Sequence, residues 1–299
     1  MSNFKRNLKW YVLGTLFLAA VLVWLAVLAY QPSGFLEVNF FDVGQGDAIF
    51  IEAPSGNQVL IDGGPSRTVL AKLGRLMPFW DRTIDLLILT HPHYDHLAGL
   101  IEVLKRYKIG MVLMPNESIK TAAFKEFLRT IEEKNIPVKY AKAGMIIHFG
   151  KGSGAAFYVL SPKTAAELEF DEHSEGFGGK GMSLNESSIV GKLIYGKAKF
   201  LLTGDAGVET EQKLLAPGHN LTAGVLKVGH HGSRYSTSED FLKAVSPVYA
   251  VISVGAGNRY GHPVPEILER LQNFGAKILR TDLNGDIVIK TDGKNYLVK

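Results

Sequence analysis

Between Leu89 and His96 the chain reads Leu-Thr-His-Pro-His-Tyr-Asp-His, directly after an apolar run from Ile84 to Leu89. An apolar run of that length predicts a buried strand. Three imidazoles and a carboxylate then fall within six residues, at the spacing H-x-H-x-D-H. Both groups are good ligands for zinc, manganese and iron. An extended turn at this point puts His91 and His93 on one side. Asp95 and His96 then lie on the returning backbone, and one loop serves two neighbouring ions. The alternative is a polar loop in which histidines cluster by chance. With nine histidines in 299 residues, that alternative is weak.

Other predicted strands also end in polar, glycine-bearing loops. Phe35–Phe41 runs into Asp42-Val43-Gly44-Gln45-Gly46-Asp47, and Gln58–Ile61 runs into Asp62-Gly63-Gly64. Ordinary hairpin chemistry accounts for both clusters equally well. Lys199–Leu202 ends in Thr203-Gly204-Asp205. A carboxylate there is costly unless it is paired or bound to metal. Asp205 is therefore a candidate bridge between two ions, or else the N-cap of a helix over 206–215. Gly224–Val228 ends in Gly229-His230-His231-Gly232-Ser233, a compact set of donors for a phosphate. Val248–Val254 leads to a glycine-rich loop ending in Tyr260-Gly261-His262-Pro263, where His262 offers one more nitrogen ligand. The 3.6-residue period predicts helices over 69–79, from Gly99 onward, over 116–134 with Asn116 as cap, and over 265–274. Asn284-Gly285 predicts the turn of a terminal hairpin over 280–298. The stretch 164–181, rich in glycine and containing His173, predicts an irregular loop beside the site.

Trp10–Tyr30 carries no charge over 21 residues, enough for a helix of about 30 Å, the thickness of a hydrocarbon core. Aromatic residues mark both ends, and Lys5, Arg6 and Lys9 precede it. The positive-inside rule places residues 1–9 in the cytoplasm and the domain 31–299 outside, with 10–30 as a single transmembrane anchor. A signal peptide cleaved after Val27-Leu28-Ala29 is the competitor, although the apolar run exceeds the usual signal core. Those three basic residues also explain most of the net charge of +4. The remainder is nearly neutral, so charge alone does not indicate a nucleic-acid surface. The absence of cysteine excludes disulfides and thiolate ligands.

Taken together, the Asp42–Asp47 loop, Asp62-Gly63-Gly64, the histidine motif, Thr203-Gly204-Asp205, His230-His231-Gly232-Ser233 and Tyr260-Gly261-His262-Pro263 resemble the metallo-β-lactamase-like domain of the ComEC competence proteins. The resemblance covers about residues 35–298. It implies an α/β fold, an αββα sandwich with metals on one edge, preceded here by the transmembrane helix. ComEC carries a many-helix channel and this chain has one candidate span, so a stand-alone relative is expected. The resemblance implies one or two divalent ions, zinc or manganese. His91 and His93 would hold the first, and Asp95, His96, Asp205 and His262 the second. The superfamily usually supplies one further histidine before the Thr-Gly-Asp strand, where this sequence has Asn185 or Ser187.

Such ions deliver an activated water near neutral pH. Asp95 or Asp42 would orient it, while His230, His231, Ser233 and Asn185 would receive the substrate, with His231 stabilising charge on phosphate. The expectation is a metal-dependent phosphodiesterase or nuclease outside the membrane, acting on DNA or another phosphodiester. A lactam, thioester or lactone hydrolase, and a non-catalytic binding module, are the alternatives on this scaffold. A reporter fused after Lys299 is expected to be active only on the extracytoplasmic side. Activity inside the cell would reverse the topology, and recovery of protein lacking residues 1–29 from the medium would favour the cleaved signal.

Overall fold

The computed structural model describes residues 2–29, 34–117, 119–150, 152–162 and 184–299. The glycine-rich stretch 164–181, with His173, lies outside them. The chain forms two units, Met1–Ser33 and Gly34–Lys299. The first is one helix, Ser2–Ala29 (α1). Within it Asn7–Leu25 is long and apolar enough to cross a membrane. The helix extends through the segment expected to be a separate tail. Nothing between Asn3 and Lys9 breaks a helix, and Lys, Arg and Leu favour one.

In the second unit the strands are Leu36–Phe40 (β1), Ile49–Glu52 (β2), Gln58–Ile61 (β3), Thr83–Ile88 (β4), Lys108–Met114 (β5), Val138–Tyr140 (β6) and Ile146–His148 (β7). They continue as Ala155–Ser161 (β8), Val190–Tyr195 (β9), Ala198–Leu202 (β10), Val225–Lys227 (β11), Tyr249–Ile252 (β12), Lys277–Arg280 (β13), Ile287–Thr291 (β14) and Tyr296–Val298 (β15). One sheet has the order β15-β14-β1-β2-β3-β4-β5-β6 and the other β13-β12-β11-β10-β9-β8-β7. The two sheets share one apolar layer, in which Phe40, Ile51 and Ile88 meet Phe157, Leu193 and Phe200. Burying each such side chain contributes about 1.5–3 kcal/mol. A second apolar layer joins the first sheet to helices Thr68–Leu76 (α2), Tyr94–Arg106 (α3) and Ala122–Glu133 (α4). A third joins the other sheet to Glu239–Val245 and Pro265–Asn273. The architecture is the αββα sandwich.

Strand direction gathers the polar loops. β1, β3, β4 and β5 run the same way, and β10, β11 and β12 are mutually parallel. The loops after β1, β3, β4, β10, β11 and β12 carry the Gly/Asp/His clusters, and they lie where ligands gather in parallel sheets, beyond the carboxyl ends of the strands.

Three local expectations are corrected. α3 begins at Tyr94 rather than near Gly99, so Asp95 and His96 sit in its first turn. A carboxylate in a first turn is favoured by the helix dipole. α4 is capped by Thr121, whose Oγ1 accepts from Phe124 N, and not by Asn116. Asn284-Gly285 is not a hairpin turn: it ends a short helix, Thr281–Asn284, between β13 of one sheet and β14 of the other. The terminal hairpin turns over 292–295, where Asp292 Oδ1 accepts from Lys294 N and Asn295 N at 2.8 Å.

Two glycines set the position of α3. Gly63 N donates to His96 O, and Gly99 N to Gly64 O. A Cβ on Gly99 would lie 1.9 Å from Gly63 O and 2.8 Å from Ser66 O, both rigid backbone. Gly99→Ala is therefore expected to destabilise the Gly34–Lys299 unit by about 3 kcal/mol. Urea unfolding measures this, and an unchanged midpoint would show that the helix can move away freely.

Candidate metal centre

The site is built where the edges of the two sheets meet. His91 follows β4, Asp95 and His96 open α3, Asp205 follows β10 and His231 follows β11. One ligand atom from each of Asp95, His96, Asp205 and His231 falls within 4.8 Å of the others. Asp205 Oδ2 is 3.3 Å from His96 Nε2, 3.3 Å from His231 Nε2 and 3.9 Å from His91 Nε2. Asp95 Oδ2 is 3.5 Å from His231 Nε2. Both Nε2 atoms and Asp205 Oδ1 are buried without a hydrogen-bond partner. Unpartnered imidazole nitrogens converging on carboxylates fit a divalent cation. A second pair, His91 Nε2 and His93 Nδ1, stands 3.1 Å apart, with His91 Nε2 3.9 Å from Asp205 Oδ2.

An outer layer orients these groups. His96 Nδ1 donates to Asp62 Oδ2 at 2.8 Å. Asp62 is held in turn by Thr90 N at 2.8 Å and Thr90 Oγ1 at 2.7 Å. His231 Nδ1 donates to Ser253 O at 2.8 Å. Each ring thereby presents Nε2 to the centre, the arrangement by which outer partners set the tautomer of a metal-binding histidine. Lys227, fully buried on β11, pairs with Asp47, donates to Gly204 O at 2.7 Å and lies 3.6 Å from Asp205 Oδ1. Lys227 thus lies on the Oδ1 side of Asp205, and Oδ2 faces the imidazoles. Asp47, Asp62 and His96 also cluster closely enough to hold an ion, but the Lys227 ammonium already neutralises Asp47.

The electrostatics follow from these distances. Burial opposes charge on His231, yet Asp205, Asp95 and Asp47 outweigh it and hold the ring protonated up to about 10. The same contest, with Asp205 and Asp62, holds His96 well above its usual value. Burial opposes ionisation of Asp205, and His231 and His96 reverse that and push it well below the usual carboxylate range. Burial lowers His91, His93, His230 and His262, so those rings are neutral at pH 7.

The family profile of the metallo-beta-lactamase superfamily matches residues 41–256, which span the metal loops from Asp42 to His231. The chain belongs to the metallo-beta-lactamase superfamily. It is homologous to ComEC-like competence proteins. ComE operon protein 3 of Bacillus subtilis is 33% identical over 268 residues, covering 84% of this chain and 32% of that protein. Competence protein ComA of Neisseria gonorrhoeae is 31% identical over 277 residues, covering 89% of this chain and 34% of that protein. The chain thus spans about a third of the length of these relatives. Among solved structures, the metallo-beta-lactamase fold protein YhfI from Bacillus subtilis superposes with a TM-score of 0.56 at 13% identity, over 86% of this chain and 99% of that one. That likeness shows the fold.

Within this superfamily member, several residues stand elsewhere than expected. His231, read as a phosphate contact, brings its Nε2 into the cluster with Asp95, His96 and Asp205, at the corner assigned to His262. His262 lies beyond His230, ring centroids 5.8 Å apart, because Asn258 Nδ2 donates to its carbonyl and Asn258 Oδ1 accepts from its N–H. Asp42 turns into its own loop, where Oδ1 accepts from Gly44 N at 3.2 Å. Ser233 is buried and its Oγ accepts from Tyr235 N. Neither lines the cavity above the centre. That cavity, of about 310 Å³, is lined by His93, Asp95, Asn185, Asp205, His230, His231 and His262, together with Gln45, Tyr94 and Tyr260. Asn185 stands between His93 and His230, its Nδ2 3.4 Å from the His230 ring nitrogens. Asp205 does not cap a helix, since the following helix, Val208–Leu214, starts after Gly207. Asp47, Asp62 and Lys227 were missed as parts of the centre. A lysine inside the apolar strand Gly224-Val225-Leu226-Lys227-Val228 was the available signal, because a buried ammonium requires a carboxylate.

His96→Ala and His231→Ala should each weaken divalent-metal binding by more than the 10–100-fold typical of an outer partner, whereas His262→Ala should leave it unchanged. Metal titration by calorimetry decides, and His231→Ala with wild-type affinity would remove it from the centre. An ion displaces the protons on His96 and His231, so binding at pH 7.5 should release about two protons. Affinity should rise with pH up to the raised His231 value of about 10. The sign is the reverse for the metal-free fold. The contribution of His231 to its stability is complete below pH 6.5 and lost as pH rises through about 10.

Proposed function

We propose that the protein is a metal-dependent phosphodiesterase, a nuclease acting outside the membrane from a single anchor, linked to the processing or uptake of extracellular DNA. The observation that carries this reading is the composition of the cavity. Its lining combines the carboxylate–imidazole cluster with a set of uncharged donors, Asn185, His230, His262 and Tyr260. A divalent ion, zinc or manganese, held by Asp95, His96, Asp205 and His231 would supply Lewis acidity and a nucleophile at neutral pH. His91 and His93 would hold a second ion, with Asn185 in place of the superfamily's further histidine.

The chain's own residues do the rest. Asp95 stands at the mouth of the cluster with 32% of its side chain exposed. Burial opposes its ionisation, but His231 and His96 outweigh this and push it below the usual carboxylate range, making it an ionised acceptor that orients the attacking group. His230 and His262 are neutral, so each ring keeps one N–H to donate. With the Asn185 amide and the Tyr260 hydroxyl they present hydrogens to the oxygens of a phosphoryl group, whose charge grows in the transition state. Lactam and thioester hydrolysis develops charge on one oxygen and has less use for such a spread of donors. The names of the curated relatives, competence proteins, support a DNA substrate.

The Gly34–Lys299 unit, loaded with zinc or manganese, should hydrolyse bis(p-nitrophenyl) phosphate faster than a cephalosporin or a thioester. His230→Ala should retain its metal and lose about 10²–10³ in kcat. Asn185→His should raise occupancy of the His91–His93 position. Faster lactam or thioester turnover than diester turnover, with His230→Ala indifferent, would make the protein an acyl hydrolase.

A further inference from the structure

We propose that the edge of the Gly34–Lys299 unit opposite the metal centre is a docking face for an anionic lipid bilayer. β4 connects the two edges. It ends at Ile88, just before the metal loop, and begins at Thr83. At about 3.3 Å per residue its ends lie roughly 17–20 Å apart.

The turn that precedes β4 is an apolar tip. Leu76 is 43% exposed, Phe79 82% and Trp80 64%. The two aromatic rings pack edge to face, centroids 4.7 Å apart, so the tip is preformed. Asp81 N donates to Pro78 O and closes the turn. The carboxylates beside the tip are turned to other partners. Asp81 accepts from Gln58 Nε2 and Thr83 N, and Asp85 from Gln58 N. Aromatic side chains of this kind favour the headgroup level of a bilayer.

Cations gather on the same edge. Arg82, Arg106, Lys108 and Lys134 line one cavity of about 620 Å³. Arg82 stands over the ring of Tyr107 at 5.5 Å, and Lys134 donates to the carbonyls of Leu104 and Lys105 at the end of α3. Glu102 engages Arg106 from the neighbouring helical turn. Basic residues flanking exposed aromatics match an anionic leaflet, which attracts lysine and arginine within a Debye length. A second copy docked through this edge would set cation against cation, which disfavours self-association as the use of the face.

Chain direction gives an independent reason. β1 runs parallel to β4, so Leu36 enters the unit at the edge where β4 begins. The polypeptide arriving from the membrane-span-length helix therefore joins on the same edge as the aromatic tip, next to Glu37 and Glu52. Docked this way, the unit turns its metal cavity away from the lipid, toward a soluble polymer. The proposal stands on this edge and does not depend on the substrate of the metal centre.

Trp80 is the only tryptophan in residues 34–299, since the others are Trp10 and Trp24. This unit has its own apolar layers and serves as the test protein. Mixed with vesicles of phosphatidylcholine and phosphatidylglycerol, it should sediment with them and shift Trp80 emission to shorter wavelength, both effects weakening with salt. Phosphatidylcholine alone should hold it poorly. Phe79→Ser should lower partitioning about tenfold, and the pair Arg82→Gln with Lys108→Gln by about tenfold or more, with melting temperature and metal content unchanged. Three results would overturn the proposal. One is no association with anionic vesicles. Another is association with unaltered Trp80 emission. The third is a blue-shifted Trp80 in buffer together with a dimer, which would show a second copy covering the tip.

Discussion

The centre depends on a charge balance inside the protein. Asp47, Asp62 and Asp205 are all buried at the meeting of the two sheet edges. None can be ionised there alone, because an isolated carboxylate in a low-dielectric interior costs far more than a fold can spare. Lys227 and the imidazolium forms of His96 and His231 make it possible. Removing one partner from such a buried set costs about 3–5 kcal/mol, since a charge is left uncompensated. The same arithmetic favours a metal ion. A divalent cation held there would replace two protons, satisfy the same carboxylates and use the imidazole nitrogens.

That balance also joins the halves of the sandwich. Asp47, Asp62 and His96 come from segments that follow strands of the first sheet, and Asp205, Lys227 and His231 from the end of β11 and segments that follow strands of the second. No segment of the chain holds a complete site. The apolar layer between the sheets fixes the distance between the two sets of loops, and α3 fixes the aim of Asp95 and His96. Gly46 shows how close the fit is. Its φ of 137° is one that other residues rarely adopt, and a Cβ there would fall 2.1 Å from Asp95 O.

Much of this was legible residue by residue. Apolar runs marked most of the strands, and the Gly/Asp/His clusters that end them marked one functional edge. The H-x-H-x-D-H spacing and its companion loops carried the superfamily. Errors concentrated where local chemistry permits two outcomes. Asn284-Gly285 is a good hairpin turn by type, but here it serves a crossing between sheets, and Asn116 is a good cap that lost to Thr121. His231 and His262 are both histidines in glycine-bearing loops beyond a strand end. Nothing in their neighbours in sequence says which ring comes within reach of Asp95, His96 and Asp205. Lys227 was overlooked because an alternating or apolar strand pattern counts a lysine as an outward residue.

The sequence by itself determined most of the strands and helices, the apolar helix ahead of them, and the kinds of group available to the site, while the layering entered only through the family its motifs resemble. Periodicity and residue chemistry are local properties, and a linear chain displays them fully. Tertiary structure alone decided which imidazole completes the cluster, which carboxylates stay behind it, and that an aromatic, basic edge lies opposite the metal cavity. Those are relations between residues tens to nearly two hundred positions apart, as with Asp47 and Lys227, and they exist only once the sheets and helices have packed.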